Sequence, residues 1–305
     1  MLKTIVMTCL LSLAGSAVAA VNSVAGLANP LDNAGASARA LGMGSAYVGV
    51  ADDSSALFWN PSGLGGLKNT ELALHHNSWL AGIIQETLVL GLPMGGLGGF
   101  GVSGSYVNYG NLPGYDDNGA QVAEYSANRY GAALGWGKEV MPKVFAGASL
   151  KGAIQSVADA TYSDVSLALG ALWVPLPELR LGLAYSNLGT QVAGYSQAAD
   201  LRAGGSYHWI LSTTNQLLLA ASGSFEPQGV SRLQVGAEDM VHSFLALRIG
   251  YQASLAETQI DGLTGLTAGL GAKYEGFGLD YAFLPYGDLG STHRISLSYL
   301  FGRKS

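Results

Sequence analysis

From about Thr70 to the end of the chain, apolar side chains alternate with small or polar ones, segment after segment. In Arg129–Trp136 the residues Tyr130, Ala132, Leu134 and Trp136 share one face, while Arg129, Gly131, Ala133 and Gly135 share the other. The division recurs where Leu179, Leu181, Leu183 and Tyr185 oppose Arg180, Gly182, Ala184 and Ser186. It recurs again over Leu201–Trp209, Leu266–Tyr274, Phe277–Phe283 and Ile295–Phe301. A period of two marks β-strands, because successive side chains leave a pleated backbone on opposite sides. About fourteen such segments can be placed, each near the roughly ten residues that a tilted strand needs to cross a bilayer. The uncharged run Thr87–Tyr115 is long enough for a membrane helix, but it is rich in glycine and contains Pro93 and Pro113. Each interior glycine costs a helix about 1 kcal/mol, so the run reads as strands.

The face opposite the apolar one separates a soluble sandwich from a membrane barrel. A sandwich exposes a richly charged outer face, whereas here that face is mostly Gly, Ala and Ser with single scattered charges, which suits a crowded interior. The links after even strands are short, as in Lys138–Lys143 (KEVMPK), Pro175–Glu178 and Tyr274–Gly276. Those after odd strands are mostly longer: Gly110–Tyr125, Leu188–Gln197 and Ala253–Gly262. Short periplasmic turns and long outer loops belong to an outer-membrane barrel. Aromatics on the apolar face also gather at strand ends. Trp136, Trp173, Trp209, Tyr274, Tyr299 and Phe301 fall at the inner rim, and Tyr106, Tyr185, Phe225, Tyr251 and Phe283 at the outer one. Two lipid interfaces require two such girdles.

Composition agrees. Only 12% of the 305 residues are charged, 49% are hydrophobic and 44 are glycine, which fits neither an ordinary soluble surface nor an all-helical protein. The formal net charge of −6 disfavours a nucleic-acid binder. Met1–Ala20 has one basic residue (Lys3), an apolar middle and Ala17 and Ala19 at A-x-A positions, and it predicts a cleaved secretory leader. The only cysteine, Cys9, lies inside that leader without a lipobox, so neither a lipid anchor nor a disulfide is expected.

The charges then sort by position. Arg129, Lys151, Arg180, Arg202, Arg232, Arg248, Lys273 and Arg294 all fall on the small-residue face of their strands. A cation facing lipid costs about 2–4 kcal/mol at the midplane, so this parity predicts that all of them line the lumen. Glu71, Asp164, Glu238 and Asp280 are the inward acids. The outer loops are expected to carry Glu86, Asp116, Asp117, Glu124, Asp159, Asp200, Glu226, Glu257, Asp261 and Asp288, and no Lys or Arg. Two readings of the lumenal cations stand side by side: they attract anions such as carboxylates, or they pair with neighbouring acids and brace the wall.

Val21–Lys68 does not alternate and is too short to fold alone; its natural place is inside the barrel. Asp52 and Asp53 suit a turn and are expected to meet lumenal arginines. Ser54 or Ser55 is expected to cap a short helix over Ala56–Trp59, which Asn60–Pro61 stops, and Gly63 to close the turn with positive φ. The stretch Ala38–Leu64 (ARALGMGSAYVGVADDSSALFWNPSGL) resembles the N-terminal motif of the PorV/PorQ group of outer-membrane barrels, relatives of the FadL transporters. Asp280–Gly302 (DYAFLPYGDLGSTHRISLSYLFG) resembles their last hairpin. The resemblance implies a hatch that plugs the lumen. It also implies a functional Asn-Pro-Ala turn, which falls here on Asn60, Pro61 and Ser62, with serine in place of the usual alanine. FadL-type proteins pass hydrophobic molecules, and PorV-type proteins receive cargo of the type IX secretion system.

The expected fold is therefore an all-β transmembrane antiparallel barrel of about 14 strands with an N-terminal hatch in the lumen. Its regions are a leader (1–20), a hatch (21–68), a barrel (69–302) and a periplasmic tail (303–305), in a bacterial outer membrane. Asp52, Asp53, Ser54, Asn60, Pro61, Ser62 and Gly63 are the candidate gating residues. The expected partners are outer-membrane lipid, the barrel-assembly machinery and a small hydrophobic ligand or an exported protein, with no nucleic acid. No cofactor, metal site or catalytic residue is expected. His75 and His76 are adjacent on a strand and diverge, so they cannot share a metal, and His208 and His242 fall near turns. An enzyme would have to be built on His293 with Ser291 or Asp288, or on Asp52. Two functions remain open: a gated passage for small amphipathic molecules, and a platform for exported proteins that uses the outer loop Gly110–Tyr125.

Overall fold

The alternating segments form fourteen antiparallel strands that close on themselves. They are β1 (Glu71–Ser78), β2 (Ile84–Pro93), β3 (Gly99–Tyr115), β4 (Gln121–Met141), β5 (Val144–Val157), β6 (Ala160–Leu176) and β7 (Leu179–Gly189). The circuit continues with β8 (Asp200–Ile210), β9 (Gln216–Phe225), β10 (Arg232–Val241), β11 (Leu245–Ser254), β12 (Leu266–Tyr274), β13 (Phe277–Pro285) and β14 (Ser291–Leu300). Each strand pairs with its sequence neighbours, and β1 closes the barrel on β14 from Glu71↔Leu300 to Ser78↔His293. This computed structural model describes residues 36–116, 118–190, 197, 199–227, 230–255 and 264–302. The leader Met1–Ala20, the hatch before residue 36, the tail after residue 302, and Asp117, Glu257 and Asp261 lie outside the described residues. Among the described residues no helix is long and apolar enough to cross a membrane.

The wall shows the two environments that the alternation implies. On β4, Leu134 is 60% exposed and its neighbour Ala133 only 4%; on β5, Leu150 is 52% exposed and Ser149 only 2%. The exposed set runs around the barrel through Leu74, Leu183, Ile249, Leu270 and Leu297, an apolar belt far larger than a soluble monomer leaves in water. At the inner rim Phe277, Tyr299 and Phe301 pack in series, with ring centroids 4.5 and 4.8 Å apart and the second pair edge-on. The Trp136 indole N–H reaches the Leu97 carbonyl at 2.8 Å, so its polar edge is satisfied while its ring stays in the apolar belt.

Four strands outrun the membrane: β3 has 17 residues, β4 has 21, β5 has 14 and β6 has 17. The expected outer loop Gly110–Tyr125 is thus mostly a two-stranded ribbon, in which Leu112 pairs with Tyr125 and Gly114 with Val122, and only residues 116–120 link its strands. Its backbone groups pair across the hairpin, which a reading based on small polar residues could not anticipate. Lys138 likewise belongs to β4; the turn it was assigned to is only Pro142–Lys143, with Lys143 at φ 68°. Leu284 lies within β13 and is buried.

Residues 36–67 fill the inside. Helix α1 (Ala38–Gly42) is followed by an irregular stretch, helix α2 (Ala56–Trp59) and a 3₁₀ segment (Pro61–Gly66). Tyr47, Val48, Val50, Leu57, Trp59 and Leu64 are buried to within 1% of complete. This plug follows the wall in the reverse of strand order. Ala38 donates to Ser296 of β14, Gly42 meets Gly269 of β12, and Met43 and Gly44 meet Gly236 of β10 and Gly250 of β11. Val48 and Gly49 then lie on Gly182 of β7 and Gly205 of β8, Asn60 on Gly170 of β6, Pro61 on Gly147 of β5, and Leu64 on Gly99 of β3. A methyl group at Gly170, Gly182, Gly236 or Gly250 would collide with plug atoms. The small-residue face of the strands is thereby explained: the backbone of the plug comes too close for side chains.

Candidate functional site: the plug and its charged seat

The plug is seated on a chain of buried charges. Arg39 of α1 donates from Nε and Nη2 to the two carboxylate oxygens of Glu238 on β10, both at 2.8 Å. Glu238 also accepts from Arg248 Nε of β11 at 2.6 Å, and Arg248 Nη1 donates to Asp280 of β13 at 2.6 Å. The remaining arm of Arg39, Nη1, donates to Asp52 at 2.6 Å and to Asp53 at 3.4 Å within the plug, and to the Tyr47 hydroxyl at 2.9 Å. Tyr47 in turn donates to Asp53 at 2.5 Å. One guanidinium therefore folds the plug on itself and fixes it to the wall. Burial alone would raise the Asp52 carboxyl, but Arg39 and Arg180 outweigh it and hold it at about 2.

This arrangement corrects the sequence reading at Asp52 and Asp53. Their hydrogen-bonded guanidinium comes from Arg39 of the plug, with Arg180 of β7 acting only through its field. Arg39 was the residue missed, since it precedes the barrel and stands alone among small residues. Its helical position and the inward Glu238, 199 residues away, become neighbours only once the ring closes.

The predicted turn residues are brought together around Asn60, though not all in the expected roles. Asn60 Nδ2 donates to the Val48 carbonyl at 2.9 Å and to the Ala171 carbonyl of β6 at 3.0 Å. Its Oδ1 accepts from the Ser62 hydroxyl at 2.6 Å and from the Ser62 N–H at 3.3 Å. Serine in place of alanine thus adds a bond that closes the turn. Pro61 opens the 3₁₀ segment, where its missing N–H costs nothing. Gly63 does not take positive φ; that geometry falls on Gly44, Ser45 and Ala51, and Gly63 is needed because a side chain would strike the Ala51 carbonyl. Neither serine caps α2 with its side chain: Asp53 Oδ1 accepts from the Ser55 N–H at 3.0 Å and from its hydroxyl. A carboxylate two residues upstream forms an Asx-type turn that outcompetes the shorter hydroxyls. Ser54 is buried, and its N–H donates to Glu71 of β1 at 2.7 Å.

The structure places Arg129, Arg202, Arg248 and Arg294 in buried positions, and Lys151, Arg180, Arg232 and Lys273 in half-buried ones. Several are engaged with acids. Arg129 holds Asp164 at 2.6 Å, Arg202 holds Asp200 at 2.5 Å and Arg232 holds Glu226 at 2.8 Å. Arg202 also lies 5.2 Å over Trp59, Lys151 6.0 Å over Phe58 and Arg294 5.5 Å over Trp79. Asp200, Glu86 and Glu124 belong to strands rather than loops; Asp200 and Glu226 are buried with their arginines, which takes two of the expected acids away from the outer mouth.

Above the plug lies a small cavity of about 60 Å³, lined among others by Phe58, Thr87, Ser103, Arg129, Lys151 and Asp164. An apolar cavity of roughly 150 Å³ can hold benzene, and this partly polar space is less than half that size. The plug touches strands on every side, and the described state is closed.

The histidines form no shared site. His75 faces inward on Ser296 at 2.7 Å and His76 outward on Glu86 at 2.6 Å. His293 meets Tyr281 at 2.7 Å and Ser291 at 3.3 Å on the exterior, with Ser291 rather than Asp288 as its neighbour. Among the described residues no group of three or more His, Cys, Asp or Glu could hold a metal ion.

No family model and no curated protein sequence matches the chain. Solved structures do. A variant of the monoaromatic hydrocarbon channel TodX shares 12% identity at a TM-score of 0.63, covering 90% of this chain and 100% of its own. The Pseudomonas putida toluene transporter TodX shares 13% at 0.59, covering 85% and 97%. A Pseudomonas aeruginosa FadL homologue shares 12% at 0.57, covering 88% and 98%. At such identities the likeness concerns fold alone, and that fold is the one of FadL-type outer-membrane barrels.

Proposed function

We propose that this protein is a gated passage in the outer membrane for small hydrophobic or amphipathic molecules, with residues 36–67 as the gate. The observation that carries the reading is the plug itself. It is a separate, mostly apolar segment held against a glycine-lined wall by a few polar anchors, and it can leave without breaking the strand ladder. The structural neighbours described as hydrocarbon channels support the same reading. Most lumenal cations are engaged, which favours the bracing role over a general attraction of anions and points to apolar rather than highly charged cargo.

Asn60 is the gate residue to test, because it ties the plug to β6 without touching the exterior. Asn60→Ala removes its bonds to Val48 and Ala171 and leaves the barrel strands intact. Flux of the apolar dye N-phenylnaphthylamine into proteoliposomes should change severalfold, with unaltered resistance of the folded barrel to unboiled SDS. Unchanged flux would remove the gate assignment.

A second reading, PorV-like handover of exported proteins, is favoured by one feature: the β3–β4 ribbon that stands beyond the membrane wall.

A further inference from the structure

β3 is paired with β2 only as far as Asn108, and β4 meets β5 only from Ala127 onward. Beyond those points the ribbon has two long edges with no third strand among the described residues. The two edges are built differently. The β3 edge is interrupted by a register shift between Asn108 and Asn111, by Gly110 at φ 77° with its N–H turned onto the Asn108 side chain at 2.8 Å, and by Pro113, which has no N–H. Pro113 offers no donor and the Gly110 N–H is already used, so this edge is poor in groups that could recruit another strand.

The β4 edge, Gln121–Ser126, has no proline, no glycine and no cation. Its one irregularity is a bulge that sets Ala123 and Glu124 opposite Pro113, and with no proline in it every residue of this edge keeps its N–H. Gln121, Val122, Ala123 and Glu124 are all exposed, and Val122 and Tyr125 favour extended backbone. The Ser126 carbonyl already accepts from Ala158, in the turn after β5, at 3.1 Å, so the open edge begins at Tyr125. The open edge therefore continues the line of β5 outward for the length of a short strand.

We propose that this edge is a docking site for an extended, Lys- or Arg-bearing polypeptide segment, which adds to β4 as an extra antiparallel or parallel strand. Charge decides the partner. Tyr109–Ser126 carries Asp116, Asp117 and Glu124 with no Lys or Arg, and Asp159 stands in the neighbouring turn. A second copy of this ribbon would bring the same acids face to face. Main-chain hydrogen bonds supply the attachment and the acids select the sequence. The site is independent of any passage through the lumen, so the gate and the edge stand or fall separately.

The test uses the full barrel in detergent micelles and a fluorescein-labelled peptide of alternating threonine and lysine long enough to span Gln121–Ser126. Binding by anisotropy should be saturable, and it should weaken about tenfold or more in Glu124→Lys, which converts the edge into a lysine-guarded one. A twin peptide with alternate backbone nitrogens methylated keeps every charge but cannot donate to the edge, and it should bind about tenfold more weakly or worse. A threonine–glutamate twin should not bind. Equal binding of the methylated twin, unchanged binding in Glu124→Lys, or no saturable binding would overturn the proposal. So would a wild-type dimer that Glu124→Lys dissociates, because the occupant would then be a second copy.

Discussion

Glu238→Ala is expected to unseat the plug. The side chain accepts two bonds from Arg39 and one from Arg248, all buried, and alanine supplies neither charge nor acceptor. Breaking a buried ion pair by removing one partner costs about 3–5 kcal/mol, because the remaining charge is left without compensation. Arg39 keeps Asp52 and Asp53, and Arg248 keeps Asp280, so the lower end applies. About 3 kcal/mol corresponds to roughly a hundredfold rise in the undocked population. Arg39 is itself the reporter: only 8% exposed, it is shielded from trypsin, and undocking opens the Arg39–Ala40 bond to cleavage. Cleavage of the folded barrel should accelerate strongly in Glu238→Ala and less in Glu238→Gln, which retains one acceptor. Combining Glu238→Ala with Arg39→Met, read by the urea unfolding midpoint because methionine removes the tryptic bond, should cost less than the sum of the two, since the residues share one interaction. Trypsin resistance equal to wild type would mean that apolar packing alone seats the plug.

Leu150→Arg is expected to impair insertion of the barrel. Leu150 is half exposed near the middle of β5, on the face opposite Ser149 and Lys151. A cation on the lipid side costs about 2–4 kcal/mol at the midplane. Lys151, one residue along, provides the internal comparison: the same strand carries a cation in its natural sequence, on the lumenal side and near the Phe58 ring. Leu150→Arg should lower the urea midpoint for folding into vesicles and reduce the compact species on unboiled SDS gels, while Leu150→Met should leave both near wild type.

How far the sequence could be read depends on how locally each feature is determined. Strand number and facing are local, since side chains alternate by backbone geometry and lipid tolerates few charges, and Leu134 beside Ala133 shows this without any partner being known. Links were read from composition, which fails where small polar residues pair with one another: Gly110–Tyr125 has the residues of a loop and the hydrogen bonding of a ribbon. The plug was recognisable as a compact segment from its lack of alternation and its Asn-Pro turn. Its seating was not, because Arg39 meets Glu238 and Asn60 meets Ala171 across distances in sequence that only the closed ring defines. Gly63 shows the same limit: its need for glycine was readable, but the cause is the Ala51 carbonyl rather than its own φ.

The most direct measurement is oxygen accessibility of nitroxide labels placed one at a time along β5, from Ala146 to Gln155, in lipid vesicles. The even-numbered positions, including Leu150 and Ile154, should relax rapidly with oxygen and slowly with a water-soluble nickel chelate, while the odd-numbered positions facing the plug should be shielded from both. A profile without the two-residue period, or one in which Ser149 and Lys151 report hydrocarbon, would contradict a barrel whose apolar face meets lipid and whose lumen is filled by its own N-terminal segment.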